Sequence, residues 1–350
     1  MFLALKEIKH EKLRYGLIIL MIFLISYLIF MLSSLAVGLA SQNTQAIENW
    51  NAQKIVLNKN ANISMSQSIL TKDDLKNAKI GKNEAIIGQL GIVAKKKGKS
   101  SISAQFLGIK KDQFIYQDQD IIAGKKAKNG NQITVDSSFK DKGYKLGDQI
   151  SLNGSKKKYK IVGFVNNAKI NIAPIAYGTM ATWKKLRLMA PNVEASGIIS
   201  KNNLDFKAKN VKSYDKQTFI NKLPGYTAQN STFELMIGFL FVISLIVIAV
   251  FLYILTIQKM PNYAVLRAQG IPSKTLIGAT VSQSLILVIL GTVLAYLLML
   301  LTVSIMPATV PIDFAPWIMI STFVGMILMG AIGGLIPIRS ILKVDPSKAV

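Results

Sequence analysis

The sequence predicts an α-helical membrane protein with four transmembrane helices and one large α/β domain between helices 1 and 2. Three observations predict it. Four long runs, 17–39, 235–257, 276–306 and 317–338, contain no Asp, Glu, Lys or Arg. A polar, lysine-rich segment separates the first run from the second. The short flanks and connections differ sharply in positive charge.

A helix needs about 20 mostly apolar residues to cross the hydrocarbon core, and each run reaches that length. The expected spans are 17–39, 233–257, 276–306 and 316–338, the third long enough to tilt. The first run has 23 apolar or uncharged residues. A cleaved signal peptide has an apolar stretch of only about 7–15, so an uncleaved span is expected. Before it, residues 1–16 place Leu3, Leu5, Ile8 and Leu13 opposite Lys6, Lys9 and Lys12 at helical spacing. Such a segment is either an amphipathic helix on the membrane surface or a plain continuation of the span.

Segment 40–232 holds 32 of the 42 basic residues and 13 of the 18 acidic ones, a net +19 of the chain's +24. It is expected to be a domain of ordinary size. With no cysteine in the chain, it is held by its own core and not by disulfides. Strands are expected at Lys54–Leu57, Ala85–Val93, Ser101–Leu107 and Gln132–Val135. The Asn153-Gly154 pair marks a hairpin. Segments 72–79, 182–189 and 214–223 read as helical. The lysine runs Lys95–Lys97 and Lys156–Lys158 read as solvated hairpin ends, or as an attraction for anionic polymer or lipid headgroups.

Positive charge in short loops marks the cytoplasmic side. Lys6, Lys9, Lys12 and Arg14 precede the first span, and Lys259, Arg267 and Lys274 lie in the 258–275 connection. Arg339, Lys343 and Lys348 lie in the 339–350 tail, whereas 307–315 has only Asp313. Both termini and the 258–275 loop are therefore expected in the cytoplasm, with 40–232 outside. The later spans carry small residues, Gly291 and Ala295 in one and Gly325, Gly330, Gly333 and Gly334 in the other. They fit a compact bundle or a dimer seam.

Catalytic constellations are missing from the sequence. His10 is the single histidine, and no phosphate-binding loop or nucleophile elbow occurs. No enzyme activity, metal site, intrinsic cofactor or nucleic-acid partner is expected. Glu234, at the start of the second span, is the one ionisable residue in the spans. Ion-coupled carriers use buried charges, so energy for transport is expected from another subunit. The 258–275 loop carries Pro261, Gly270 and Pro272, the punctuation of a short helix. Asn262 caps that helix, or Pro261 sits in its first turn. Tyr263 and Leu266 are three apart, able to share a face that fills a groove on a partner.

The order of these parts resembles the MacB/FtsX-type permeases of ABC transporters. The resemblance rests on Tyr263–Ile271 between spans two and three and on the DP-x-x-A ending within Lys343–Ala349. Tyr144–Ile150 followed by Tyr159–Gly163 resembles the β segment of the MacB-like core domain. Leu3–Ile8, Leu252–Lys259 and Pro307–Pro311 resemble the permeases of Gram-positive haem-efflux systems. The resemblance implies a homodimer in the cell membrane paired with two copies of a cytoplasmic ABC ATPase, which contacts Tyr263, Leu266, Arg267 and Gly270. It also implies haem or a similar amphipathic compound as substrate. Export of hydrophobic toxins or antimicrobial peptides, and FtsX-like signalling to a cell-wall hydrolase, are the other activities in that family. Topology places Met31, Leu35, Gln42, Asn43 and Glu234 near the outer ends of the first two spans, where they are expected, with Tyr226, to line the substrate site. Gln42-Asn43 stand where an acid is expected. Tyr226 fits the haem-efflux pattern, and equally reads as an interfacial aromatic.

Overall fold

The computed structural model describes residues 11–76, 80–203, 206, 208–307, 310–338 and 342. The segment 1–10, with His10, and the DP-x-x-A ending lie outside the described residues, as do Ala308 and Thr309. Chain contacts divide the protein into two compact units. The membrane unit runs up to Gly38 and resumes at Ser231, and the α/β unit is Leu39–Asn230.

Four helices in the described residues are long and apolar enough to cross a membrane. They are α1 (Lys12–Asn49), α7 (Tyr226–Gln258), α9 (Ser273–Ile305) and α10 (Pro316–Leu335). The first two outrun the expected spans. At 1.5 Å per residue the 38 residues of α1 measure about 57 Å, against about 30 Å of hydrocarbon. Hydropathy marks only the lipid-immersed part. Beyond it α1 continues through 41–49, where Ala46 and Ile47 are buried in the core of the α/β unit. Residues 12–16 are already part of α1, so they continue the span.

Within the membrane unit, Ile22 and Ile29 of α1, Leu252 of α7, Leu287 and Val288 of α9 and Met326 of α10 form one core. Phe30, Met299, Ile318 and Met319 form a second. The small residues serve these contacts. A side chain on Gly291 would strike Ile22, one on Gly330 would strike Val288, and one on Gly333 would strike Ile248. Close approach also lets Ser284 Oγ donate to the Gly330 carbonyl at 2.7 Å. The glycines thus make a bundle within one chain, which is the first of the two roles that sequence left open.

The α/β unit contains β1 (Lys54–Asn58), β2 (Leu70–Thr71), β3 (Glu84–Lys95), β4 (Ile102–Ile109), β5 (Ile121–Gly124) and β6 (Gln132–Asp136). They are followed by β7 (Gln149–Leu152), β8 (Lys158–Val165), β9 (Lys169–Ile170), β10 (Ala173–Thr179), β11 (Val193–Ala195), β12 (Gly197–Ser200) and β13 (Val211–Asp215). Its short helices are α2 (Lys72–Leu75), α3 (Phe114–Gln117), α4 (Ser138–Asp141), α5 (Met180–Leu186) and α6 (Lys216–Asn221). The expected helix at 214–223 begins instead as β13, because Ser213 and Tyr214 pair with Val56 and Ile55 at the sheet edge. Pairing runs β13-β1-β12-β3-β4-β10-β6-β8-β5, and β7 joins β3 to β8. That last link closes β3, β4, β10, β6, β8 and β7 into a ring, a small barrel without free edges. β10 runs parallel to β4 and β6 parallel to β8, while the other ring pairs are antiparallel.

Alternation sorts the side chains. Ile92, Ala94, Phe106, Val135, Ile150, Leu152, Tyr159 and Ile161 point into the ring and are buried there. The outer wall is covered over part of its height by Ile47 of α1, Phe114 of α3 and Phe219 of α6, which meet Ile87, Leu107 and Tyr177. Trp183 of α5 lies flat over Gly88 and Gly108, where any β-carbon would collide with it, and its Nε1 donates to the Gln89 carbonyl at 3.0 Å. The Asn153-Gly154 hairpin forms as expected, both residues at positive φ between β7 and β8. Lys96 and Lys99 are not free hairpin ends. Both reach Asp148, at 2.5 and 3.4 Å.

Candidate functional site

The connection after α7 is a helix of its own, α8 (Met260–Ala268). Pro261 sits in its first turn, where a missing N–H costs nothing, and Lys259 rather than Asn262 is the residue at its start. At its end Ile271 N donates to the Leu266 carbonyl at 3.1 Å and Gly270 N to the Arg267 carbonyl at 3.0 Å. Gly270 has φ +87, so this is a Schellman ending, and Pro272 starts α9 at once.

Tyr263 does not face a partner. It is 3% exposed and packs with Ala264 and Leu276 in a core that pins α8 to the start of α9. The outward surface is made by Asn262, Val265 (45% exposed), Gln269 and Gly270, with Leu266 and Arg267 half-buried at its margin. A groove of about 380 Å³ lies between Leu266 and Ile271 on one side and Thr275, Gly278, Ala279 and Ser282 of α9 on the other. Arg267 Nε is buried and has no acceptor among the described residues. A groove walled by Leu266, Ile271, Leu276 and Ala279, with the Thr275 and Ser282 hydroxyls at its side, suits an apolar side chain of a partner.

Behind α8 is a polar cluster that sequence reasoning missed. Lys259, 8% exposed, donates from Nζ to the Tyr15 hydroxyl at 2.8 Å, and its charge lies 5.5 Å from the Tyr15 ring centre. Gln283 Nε2 of α9 donates to the same hydroxyl. Three helix segments far apart in sequence thus share one oxygen. The signal available was slight: Gln283 is a lone amide in an apolar run, and Lys259 ends another.

The six residues expected along a substrate path divide between the units. In the membrane unit, Met31 packs beside Phe30, Leu35 is half-buried on α1, and Glu234 is exposed on α7. In the α/β unit, Asn43 is 1% exposed, and its amide donates to the Leu39 carbonyl one turn back at 2.9 Å. Its side chain thus bonds within its own helix. The carbonyls of Gln42 and Asn43 accept from Ile172 N (3.3 Å) and Asn171 N (3.0 Å). Those two form the tip of the β9–β10 hairpin, both at positive φ, a strained state for a β-branched isoleucine. Tyr226 opens α7 and packs on the core beside Phe219 and Leu223.

Residues 234–346, which run from within α7 through α10, match the FtsX-like permease C-terminal family. That segment is thus an FtsX-like permease domain, and the chain as a whole is similar to permease subunits of ABC transporters. Over its whole length it is 28% identical to the permease HrtB of Staphylococcus haemolyticus, named for a hemin transport system, covering 99% of that protein. It is 26% identical to the HrtB of Staphylococcus epidermidis over 100% of this chain and 99% of the other. An ABC transporter permease of Mycobacterium tuberculosis is 20% identical over 65% of this chain and 63% of its own length. Among solved structures, the periplasmic region of MacB from Actinobacillus actinomycetemcomitans superposes with a TM-score of 0.35 at 12% identity, covering 48% of this chain and 90% of that one. The extracellular domain of the Gram-positive transporter YknZ gives a TM-score of 0.33 at 12% identity, over 44% and 83%.

Proposed function

We propose that the chain is the permease of an efflux system that expels haem or a similar amphipathic compound from the membrane. It acts as a homodimer driven by two copies of a separate cytoplasmic ATPase. The single observation that carries the substrate is the full-length similarity to permeases named for hemin transport. Both termini and α8 face the cytoplasm, and the α/β unit lies outside, as the loop charges require. The ATPase grips the groove beside Leu266, and Arg267 meets an acceptor on it. Its closure moves α8, and α7 carries that motion outward. Met31, Leu35, Gln42, Tyr226 and Glu234 mark the stretch where cargo leaves.

Cells lacking this permease and its ATPase should become more sensitive to haem and accumulate it. Unchanged growth and unchanged haem content overturn the substrate. Sensitivity to cationic peptides instead assigns the peptide-export reading. Loss of cell-wall hydrolase activity, with no change in either sensitivity, assigns signalling.

A further inference from the structure

The outer wall of the barrel is covered over only part of its height. In β3 every residue from Glu84 to Gln89 is buried, whereas beyond Leu90 exposed Gly91, Val93 and Lys95 alternate with buried Ile92 and Ala94. In β8 exposed Lys158 and Lys160 alternate with buried Tyr159 and Ile161 before both faces become buried. Register joins these strips. Lys95 pairs with Ser151 of β7, Ser151 pairs with Lys158, and Gln149 pairs with Lys160. Directly paired residues share a face, so Lys95, Lys158 and Lys160 stand together on one open wall with Ser151 and Gln149. Lys97 and Lys156 are exposed in the turns beyond. None of these five ammonium groups has an ion-pair or hydrogen-bond partner among the described residues.

The local charge is lopsided. Residues 93–103 and 140–160 hold eleven lysines against two acids, Asp141 and Asp148. Asp148 is committed to Lys96 and Lys99 and leaves the open wall uncompensated. Lysines on adjacent but one strands are about 10 Å apart, and Lys158 and Lys160 about 7 Å apart along their strand. The wall offers regularly spaced point charges, hydroxyl and amide groups, and no arginine. Arginine forks suit planar carboxylates, whereas ammonium groups hold phosphate as point charges. A lipid-surface site would add aromatic or large apolar anchors, and here Val93, 44% exposed, is the one large apolar side chain of the strip.

We propose that this wall docks a linear, water-soluble polyanion with phosphates repeated along its backbone, and so tethers the α/β unit to such a polymer. The probe is long-chain inorganic polyphosphate, titrated onto the purified full chain in neutral detergent. Lys95→Gln/Lys158→Gln/Lys160→Gln is compared with Lys59→Gln/Lys110→Gln/Lys111→Gln, which removes the same charge from exposed sites elsewhere in the unit. The wall triple should bind roughly tenfold more weakly or worse and show a shallower salt dependence, as expected when phosphate contacts are lost. The control triple should keep most of the affinity. Equal losses in the two triples, or no binding by the unaltered chain at low salt, overturn the proposal. Phosphatidylglycerol vesicles held by the same three lysines more tightly than polyphosphate reassign the wall to a lipid surface and overturn it too. Melting of both triples at the unaltered temperature excludes unfolding as the cause.

Discussion

The Tyr15 hydroxyl accepts from a cation and an amide at once, in a bundle whose other interhelical hydrogen bonds are made mostly by Ser and Thr hydroxyls. Hydrogen bonds between membrane helices contribute about 1–2 kcal/mol at most, so the cluster matters more for where α8 sits than for total stability. Tyr15→Phe should leave the chain inserted and lower its melting temperature modestly. It should also lower the ATP hydrolysed by the assembled complex in response to substrate. Wild-type stimulation in Tyr15→Phe would show that the cluster is only a packing device. In the α/β unit, Asp148 is the charged hinge of a hairpin. Burial pushes its carboxyl up, but the combined hydrogen bonds from Lys96, Lys145 N and Lys99, with the Lys96 charge, hold it below the ordinary 3.8. A carboxylate lowered by folding contributes its stability above the unfolded value and loses it as pH falls through the folded one. The melting difference between wild type and Asp148→Asn should be full near neutrality and close once pH drops below 3.8. Neither contact was legible in the sequence, because Lys96 and Asp148 look like ordinary solvated charges until the fold brings their hairpins together.

The short helix α8 was the most legible element. Proline near its start, glycine just past its end and a second proline opening the next helix are local signals, written within a dozen residues. What the pattern left open was which face turns inward. A tyrosine three residues from a leucine reads as a docking pair, and only tertiary packing reveals that Tyr263 is sealed against Leu276. Three substitutions follow at this scale. Gly270→Ala places a β-carbon at φ +87 and should cost about 1 kcal/mol, loosening the end of α8. Val265→Glu alters the outward face without entering the core. It should weaken co-purification of the ATPase while the melting temperature stays put. Retained co-purification would move the contact off this face. Gly330→Val forces a branched side chain against Val288 and should destabilise the bundle by about 1–3 kcal/mol, read as a lower melting temperature in detergent.

At the scale of the molecule, the span count and the position of the large domain were legible because hydropathy and charge are sums over many residues. The length of α1 was not, since helix continues where hydropathy stops. Nor was the closure of the barrel, which depends on β7 finding β3, a pairing of Leu152 with Ala94 that no local pattern encodes. That ring also sets an order of events during synthesis. Its last strand in sequence, β10, is inserted between β4 and β6, both of which precede it in the chain. While a growing chain is being threaded, Ala173–Thr179 must emerge before the ring can complete its circuit. Until then β4 and β6 each expose an unsatisfied edge to whatever lies nearby. The unit is therefore most vulnerable to proteases and misassembly when most of its residues have already been made. A ribosome stalled just before residue 173 should leave it in that open state.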